Sequence, residues 1–135
     1  MNDEIIRLEN IDKIYKTKAE EIHILKDINL TFRKGEFASI QGKSGSGKTT
    51  LLNILGLLDY PTSGVMKIDG VTVNQKNEKL KNKIRNEKIG FVFQFHYLLN
   101  EFSALENVMI PALINRKMDK TEIKRRAEEP LSLVA

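Results

Sequence analysis

One run, Gly42-Lys43-Ser44-Gly45-Ser46-Gly47-Lys48-Thr49, constrains this chain more than any other feature. It fits G-x-x-x-x-G-K-[ST] and lies between a short apolar segment, Glu36–Gln41, and a stretch where Leu51, Leu52 and Leu55 recur at helical spacing. That context is what the chemistry of the pattern needs. Glycines let the backbone curl until consecutive amide hydrogens converge on one anion. A helix beginning near Lys48 adds the positive end of its dipole. Lys48 supplies a point charge for the outer phosphates of a nucleoside triphosphate. Thr49 offers a hard oxygen suited to Mg²⁺, and Thr50 can reach another phosphate oxygen. Mg-ATP is therefore the expected ligand, with Gly42, Ser44, Gly45, Ser46, Gly47, Lys48, Thr49 and Thr50 as binding residues. A dinucleotide-binding loop fits less well, because Gly45-x-Gly47 is not followed by the third glycine.

The flanking pattern is that of an α/β protein. Ile5–Ile14 and Ile22–Phe32 mix apolar and polar residues as half-buried strands do, with a polar loop at Lys16–Glu21. Lys34-Gly35 makes a turn, and Glu36–Gln41 reads as a short apolar strand leading into the glycine loop. The helix after the loop ends at Gly56. Asp59–Gly64 is dense in turn residues, and Asp69-Gly70 between Val65–Ile68 and Val71–Val73 is a two-residue hairpin signal. Glu78–Lys88 predicts a charged helix, Ile89–Gln94 a compact apolar strand, and Ser103–Ile114 and Lys120–Val134 two further helices. Ser103 with Glu106, and Asp119 with Glu122, have the spacing of capping boxes. Pro130 predicts a kink or break within the last helix.

Charge and composition exclude several classes. The 135 residues carry a net charge of +4, with 41% hydrophobic and 30% charged residues, as a folded domain does. The excess of basic residues lies in Lys76–Lys88 and Arg116–Arg126, both of mixed sign at helical spacing, which predicts solvated faces. Neither has aromatic platforms or a reader motif, so no nucleic acid is expected as a partner. With no cysteine there is neither a disulfide framework nor a thiolate metal site. Met1-Asn2-Asp3-Glu4 is unlike a secretory signal, and the longest apolar stretch, Leu51–Leu58, is too short to cross a bilayer. His23 and His96 have no companion ligands and read as structural or exposed.

At this point the chain resembles the ATP-binding subunits of ABC transporters, from about Ile5 to the last residue. The resemblance is carried by Ile24–Leu30 before the loop, Ser44–Thr50 within it, Leu55–Gly64 with Asp69-Gly70 after it, and Ile89–Gln94. Phe95–Leu99 with Ala104–Val108 is most similar to the lipoprotein-releasing branch, with macrolide-export and cell-division relatives close by. The resemblance implies a P-loop NTPase of the ABC ATPase type, with an N-terminal antiparallel β subdomain and the start of a helical subdomain. Residues 1–94 would form the nucleotide-binding core, and 95–135 an incomplete helical part. By matching position, Tyr15 resembles the aromatic that stacks on adenine, with an ordinary strand tyrosine as the alternative. Gln94 resembles the glutamine that contacts Mg²⁺ and the attacking water, acting in catalysis with Lys48. Phe95–Leu99 would help receive a helix of membrane-spanning partner subunits, and the complete subunit would act as a homodimer, cytoplasmic and peripheral on the inner face of the cell membrane. The residues alone would read those aromatics as core.

Family members continue with a Leu-Ser-Gly-Gly-Gln signature, an apolar strand ending in Asp-Glu and a switch histidine, and none of these occurs among the 135 residues. The expectation is a truncated form that binds nucleotide weakly, does not hydrolyse it alone, and lacks the strands that would flank Glu36–Gln41. Such a segment is expected to be poorly stable or to self-associate. The alternatives are a soluble ABC-type ATPase of DNA repair or translation, and a non-catalytic nucleotide-binding fragment.

Overall fold

The long half-apolar runs at the start of the chain form two strands, β1 (Glu4–Lys16) and β2 (Glu21–Arg33), paired antiparallel. A computed structural model of the protein describes residues 3–73, 77–115 and 117–134. Lys76 and Arg116 of the two basic segments, and Met1-Asn2 of the polar N-terminus, lie outside the described residues. The chain divides into two compact units, Met1–Arg85 and Asn86–Ala135.

In the first unit the sheet is completed by β3 (Ser63–Ile68) and β4 (Val71–Val73), giving the order β2-β1-β3-β4 with every pairing antiparallel. The Asp69-Gly70 signal is a tight hairpin. Both residues have positive φ (48° and 74°), and Ile68 pairs with Val71. Helix α1 (Lys48–Leu55) follows the glycine loop and stops at Gly56, whose amide donates to Leu52 O. Leu8, Ile11, Ile54 and Leu57 are essentially inaccessible to solvent. Burial of each such side chain contributes about 1.5–3 kcal/mol.

A bulge sets which residues of β1 face inward. Asn10 has φ 50°, the β1–β2 register shifts between Leu8 and Ile11, and the buried positions step from Leu8 to Ile11 and then to Lys13. A three-residue step resets the alternation of the strand, so that Ile11, Lys13 and Tyr15 share one side. Asn10 is fastened by its neighbours: its amide donates to Asn29 Oδ1 at 2.8 Å and its Nδ2 to Asp27 Oδ1 at 2.8 Å. Gly64 on β3 accommodates the bulge, because a Cβ there would lie 2.3 Å from Asn10 O.

Two segments predicted as strands are not strands. Glu36–Gln41 and Ile89–Gln94 have no ladder partner among the described residues, and Phe37 and Val92 are 95% and 103% exposed. Their apolar character encodes burial, but a strand exists only through a neighbour that takes its backbone hydrogen bonds.

Helix α2 (Glu78–Lys88) forms as its charge pattern predicts, yet Lys81 is buried rather than solvated. Its ammonium lies over the Tyr60 ring, 4.4 Å from the centroid, and donates to Glu78 Oε1 at 2.8 Å. The long apolar stem lets a lysine line a packed surface while its head keeps an ionic partner.

The second unit contains α3 (Ala104–Asn115) and α4 (Lys120–Ser132), which pack through Met109, Ile123 and Ala127. The first capping box is complete: the Ser103 amide and hydroxyl both donate to Glu106 Oε2, and the Glu106 amide donates to Ser103 Oγ. The second is half formed. Asp119 Oδ1 accepts from the Thr121 and Glu122 amides, while the Glu122 carboxylate turns instead to Arg125 and Arg126. Pro130 does not break α4, which runs on to Ser132. It falls in the last turn on an exposed face, where the loss of a single helical hydrogen bond does not end the helix.

The hydrogen bonds from Arg125 and then Arg126 draw the Glu122 carboxyl down from 4.5 to about 2. A folded pKa below the unfolded one means that these pairs contribute above pH 4.5 and are lost as the pH falls through 2. A carboxyl-carbon NMR titration should find Glu122 ionised at pH 3.5; protonation with a midpoint near 4.5 would show that the pairs do not form.

Candidate nucleotide-binding site

Gly42–Gly47 leads from the unpaired Glu36–Gln41 segment into α1, and its shape follows from where it bends. Gly45 and Gly47 have φ 78° and 90°, in the left-handed region that glycine enters without strain. Gly47 is also a point of contact. A Cβ on it would lie 2.9 Å from Leu25 Cδ2 and 3.1 Å from Ile24 Cγ2, so the absence of a side chain lets the start of α1 lie directly on β2. Gly42 is confined in the same way by the Ser46 hydroxyl, 2.6 Å from where its Cβ would be.

Three features suit this loop to an anion with several oxygens. No side chain caps the N-terminus of α1, and its first turn holds no acidic residue, so the positive helix end is neither satisfied nor neutralised. The Lys48 ammonium is close by, donating to Gly42 O at 2.9 Å and Lys43 O at 2.7 Å. Such bonds to loop carbonyls can be exchanged for stronger charge-assisted bonds to phosphate oxygens. These residues fit a polyphosphate. For a divalent cation they offer the Thr49 hydroxyl, and no group of three or more acidic, His or Cys residues gathers among the described residues. Mg²⁺ here would be held largely by phosphate and water oxygens, as its coordination habit allows.

Tyr15, near the end of β1, belongs to the same unit as the glycine loop and α1. The Tyr15 hydroxyl donates to Asp59 Oδ2 at 2.8 Å, and the residue is 40% exposed. The Asp59 carboxylate, followed by partial burial, holds the phenol above its ordinary pKa. Lys13, two positions earlier on the same side of β1, lies with its ammonium 4.8 Å from the centroid of the Tyr15 ring. It donates to Asp59 Oδ1 and to Tyr60 O, each at 2.7 Å. Burial works to raise the Asp59 carboxyl, but the hydrogen bonds from Lys13, Tyr15 and the Tyr60 amide outweigh it, and the net shift is downward.

The structure thus gathers the glycine loop, Lys48, Thr49, Thr50 and Tyr15 in the first unit, while Gln94 is an exposed residue of the second. Sequence reasoning did not foresee Lys13 and Asp59. In the sequence Asp59 sits among turn residues, and the two-residue spacing of Lys13 and Tyr15 on a strand is the signal that points toward the cluster. Around Gln94 the aromatic residues pack on one another. Phe91 stacks on Phe93 at 5.2 Å between centroids, and Phe93 meets Tyr97 edge-on at 5.1 Å. Phe95, Tyr97 and Leu98 remain largely exposed, so this segment is not core. His23 is structural, bonded through Nε2 to Asp12 Oδ1 at 2.6 Å.

The family described as ABC transporter matches residues 25–135. The chain belongs to the ABC transporter family. Among ABC relatives, the lipoprotein-releasing system ATP-binding protein LolD of Bordetella avium is 49% identical over 129 residues, covering 96% of this chain and 56% of the relative. LolD of Aquifex aeolicus is 54% identical over 129 residues, covering 96% and 55%. Among solved structures, the ABC cassette MJ0796, in a dimeric post-hydrolysis state bound to ADP and Pi, superposes with a TM-score of 0.86 at 45% identity. That match covers 95% of this chain and 56% of the other. The fold is that of an ABC ATPase, and the chain spans about half the length of the curated relatives it matches.

Proposed function

We propose that this chain supplies the nucleotide-binding half of the site in an ABC transporter ATP-binding subunit. Its parent activity would couple ATP binding and hydrolysis to lipoprotein release or export by membrane-spanning partner subunits. The observation that carries the reading is the pairing of a left-handed glycine loop with an uncapped helix start and the Lys48 ammonium. Gly42, Ser44, Gly45, Ser46, Gly47, Lys48, Thr49 and Thr50 hold the phosphates of Mg-ATP, Thr49 with Gln94 serves Mg²⁺, and Tyr15 carries the adenine. Lys48 draws charge from the transferring phosphate and Gln94 orients the attacking water. Likeness to two LolD proteins at 49% and 54% identity supports the lipoprotein-releasing role.

Phosphoryl transfer needs groups that organise water as well as groups that cradle phosphate. The residues gathered here supply the cradle, and no acidic residue among them is placed to polarise water. The segment therefore binds nucleotide and does not turn it over by itself. Residues 1–94 form the nucleotide-binding core and 95–135 begin the helical part. Phe95–Leu99 is the surface offered to the membrane subunits, and likeness to a dimeric cassette supports a homodimer for the complete subunit. No helix of the described residues is long and apolar enough to cross a membrane, and a peripheral place on the cytoplasmic face, through membrane partners, fits the family.

Calorimetric titration with Mg-ATP tests the reading. Saturable binding of one nucleotide per chain, displaced by Mg-tripolyphosphate and accompanied by no release of phosphate, is the expected result. Binding that never saturates would overturn the assignment of the loop, and steady turnover would overturn the division between cradle and catalyst.

A further inference from the structure

The Lys13–Asp59–Tyr15 cluster goes beyond what phosphate binding requires. Tyr15 is bound at its hydroxyl by Asp59, and Lys13 lies against its ring. Lys13 is 8% exposed, and its ammonium is satisfied by Asp59 and by Tyr60 O. Both carboxylate oxygens of Asp59 are engaged, Oδ1 by Lys13 and by the Tyr60 amide, and Oδ2 by Tyr15. An exposed strand tyrosine ordinarily samples several rotamers, but this ring is fixed at its far end, with one face taken by a cation. Asp59 lies four residues past the end of α1, where its amide donates to Asn53 O, so the helix whose first turn would face the phosphates is tied at its other end to the group that holds the ring.

We infer that Asp59, with Lys13 as its counter-ion, is a positioning residue for the nucleobase: it fixes Tyr15 in advance so that the face away from Lys13 receives the base. The inference rests on the assignment of Tyr15 to adenine in the proposed function. Base-on-aromatic stacking tolerates any base, so the device favours a nucleotide over a base-free polyphosphate and does not choose among bases. Its benefit lies in ordering a side chain before the ligand arrives, which otherwise reduces affinity by roughly two- to tenfold.

The test compares Mg-ATP with Mg-tripolyphosphate by calorimetry on the wild-type chain and on Tyr15→Leu, Tyr15→Phe and Asp59→Asn. Tyr15→Phe keeps the ring and the Lys13–Asp59 pair and removes only the hydrogen bond, so it stays informative if Asp59→Asn folds poorly. Tyr15→Phe and Asp59→Asn should each weaken Mg-ATP by about two- to tenfold and leave tripolyphosphate unchanged. Tyr15→Leu should weaken Mg-ATP by about fivefold or more. Equal losses for both ligands, or no loss for ATP, would make the cluster a structural brace and overturn the inference. If Tyr15→Leu has no effect, the base does not stack on Tyr15 and the inference falls with that assignment. If the wild-type chain binds neither ligand, it is the phosphate-loop reading that fails.

Discussion

Lys48→Ala should lower the affinity of the chain for Mg-ATP by roughly tenfold to a hundredfold, the loss set by a hydrogen bond to a charged group of about 1.5–3 kcal/mol. Among the described residues the ammonium donates to the carbonyls of Gly42 and Lys43 in the loop. Those contacts are modest and solvent-exposed, so removing them should leave the fold intact, whereas removing the charge would take from a bound triphosphate the cation beside the helix start. The amides of the loop and the helix end remain, which is why binding should weaken rather than vanish. Calorimetry with Mg-ATP, beside a far-UV circular dichroism control, measures both. Unchanged affinity would mean that the anion is not held where α1 begins.

Gly64→Ala is expected to destabilise the first unit by about 2–5 kcal/mol. Its φ of 97° costs an L-residue about 1–2 kcal/mol. The new Cβ would also fall 2.3 Å from Asn10 O and 2.7 Å from both Asn10 C and Glu9 O. These are backbone atoms of a bulged strand paired on both sides, so they cannot step aside as a flexible side chain does. Relief by spreading β1 from β3 adds about 1–3 kcal/mol, against a total stability of about 5–15 kcal/mol for a domain. Gly70→Ala provides the comparison. It shares a positive φ, 74°, but has nothing within 4 Å of the added Cβ. Chemical denaturation should place Gly70→Ala about 1–2 kcal/mol below the wild type, in line with the left-handed penalty alone, and Gly64→Ala well below that. Coincident curves for the two variants would mean that the β1 bulge does not press on β3.

The two expectations differ in how visible they were beforehand. Lys48 belongs to a contiguous motif, and local spacing alone places its charge beside a helix start. The constraint on Gly64 is invisible in the sequence because the atom it must avoid belongs to Asn10, across a sheet. The same holds for Asp59 and Lys81. One lay among turn residues and the other in a mixed-charge helix, and nothing near them in the chain names Tyr15 or Tyr60 as a partner.

What the sequence determined unaided is whatever depends on neighbours a few positions away. The glycine loop, the span of α1 and its stop at Gly56, the Asp69-Gly70 hairpin and the Ser103–Glu106 cap all follow from local backbone preferences and short-range hydrogen bonds. Tertiary structure alone decided which apolar runs became strands. Ile5–Ile14 and Ile22–Phe32 found each other and form a ladder, whereas Glu36–Gln41 and Ile89–Gln94, no less apolar, pair with nothing among the described residues. It also decided that a buried ammonium at position 13 should fasten the tyrosine beside the phosphate loop. The physical reason is common to both: a strand and a buried charge are stable only through a partner distant in sequence, and periodicity records the need for that partner but not its identity.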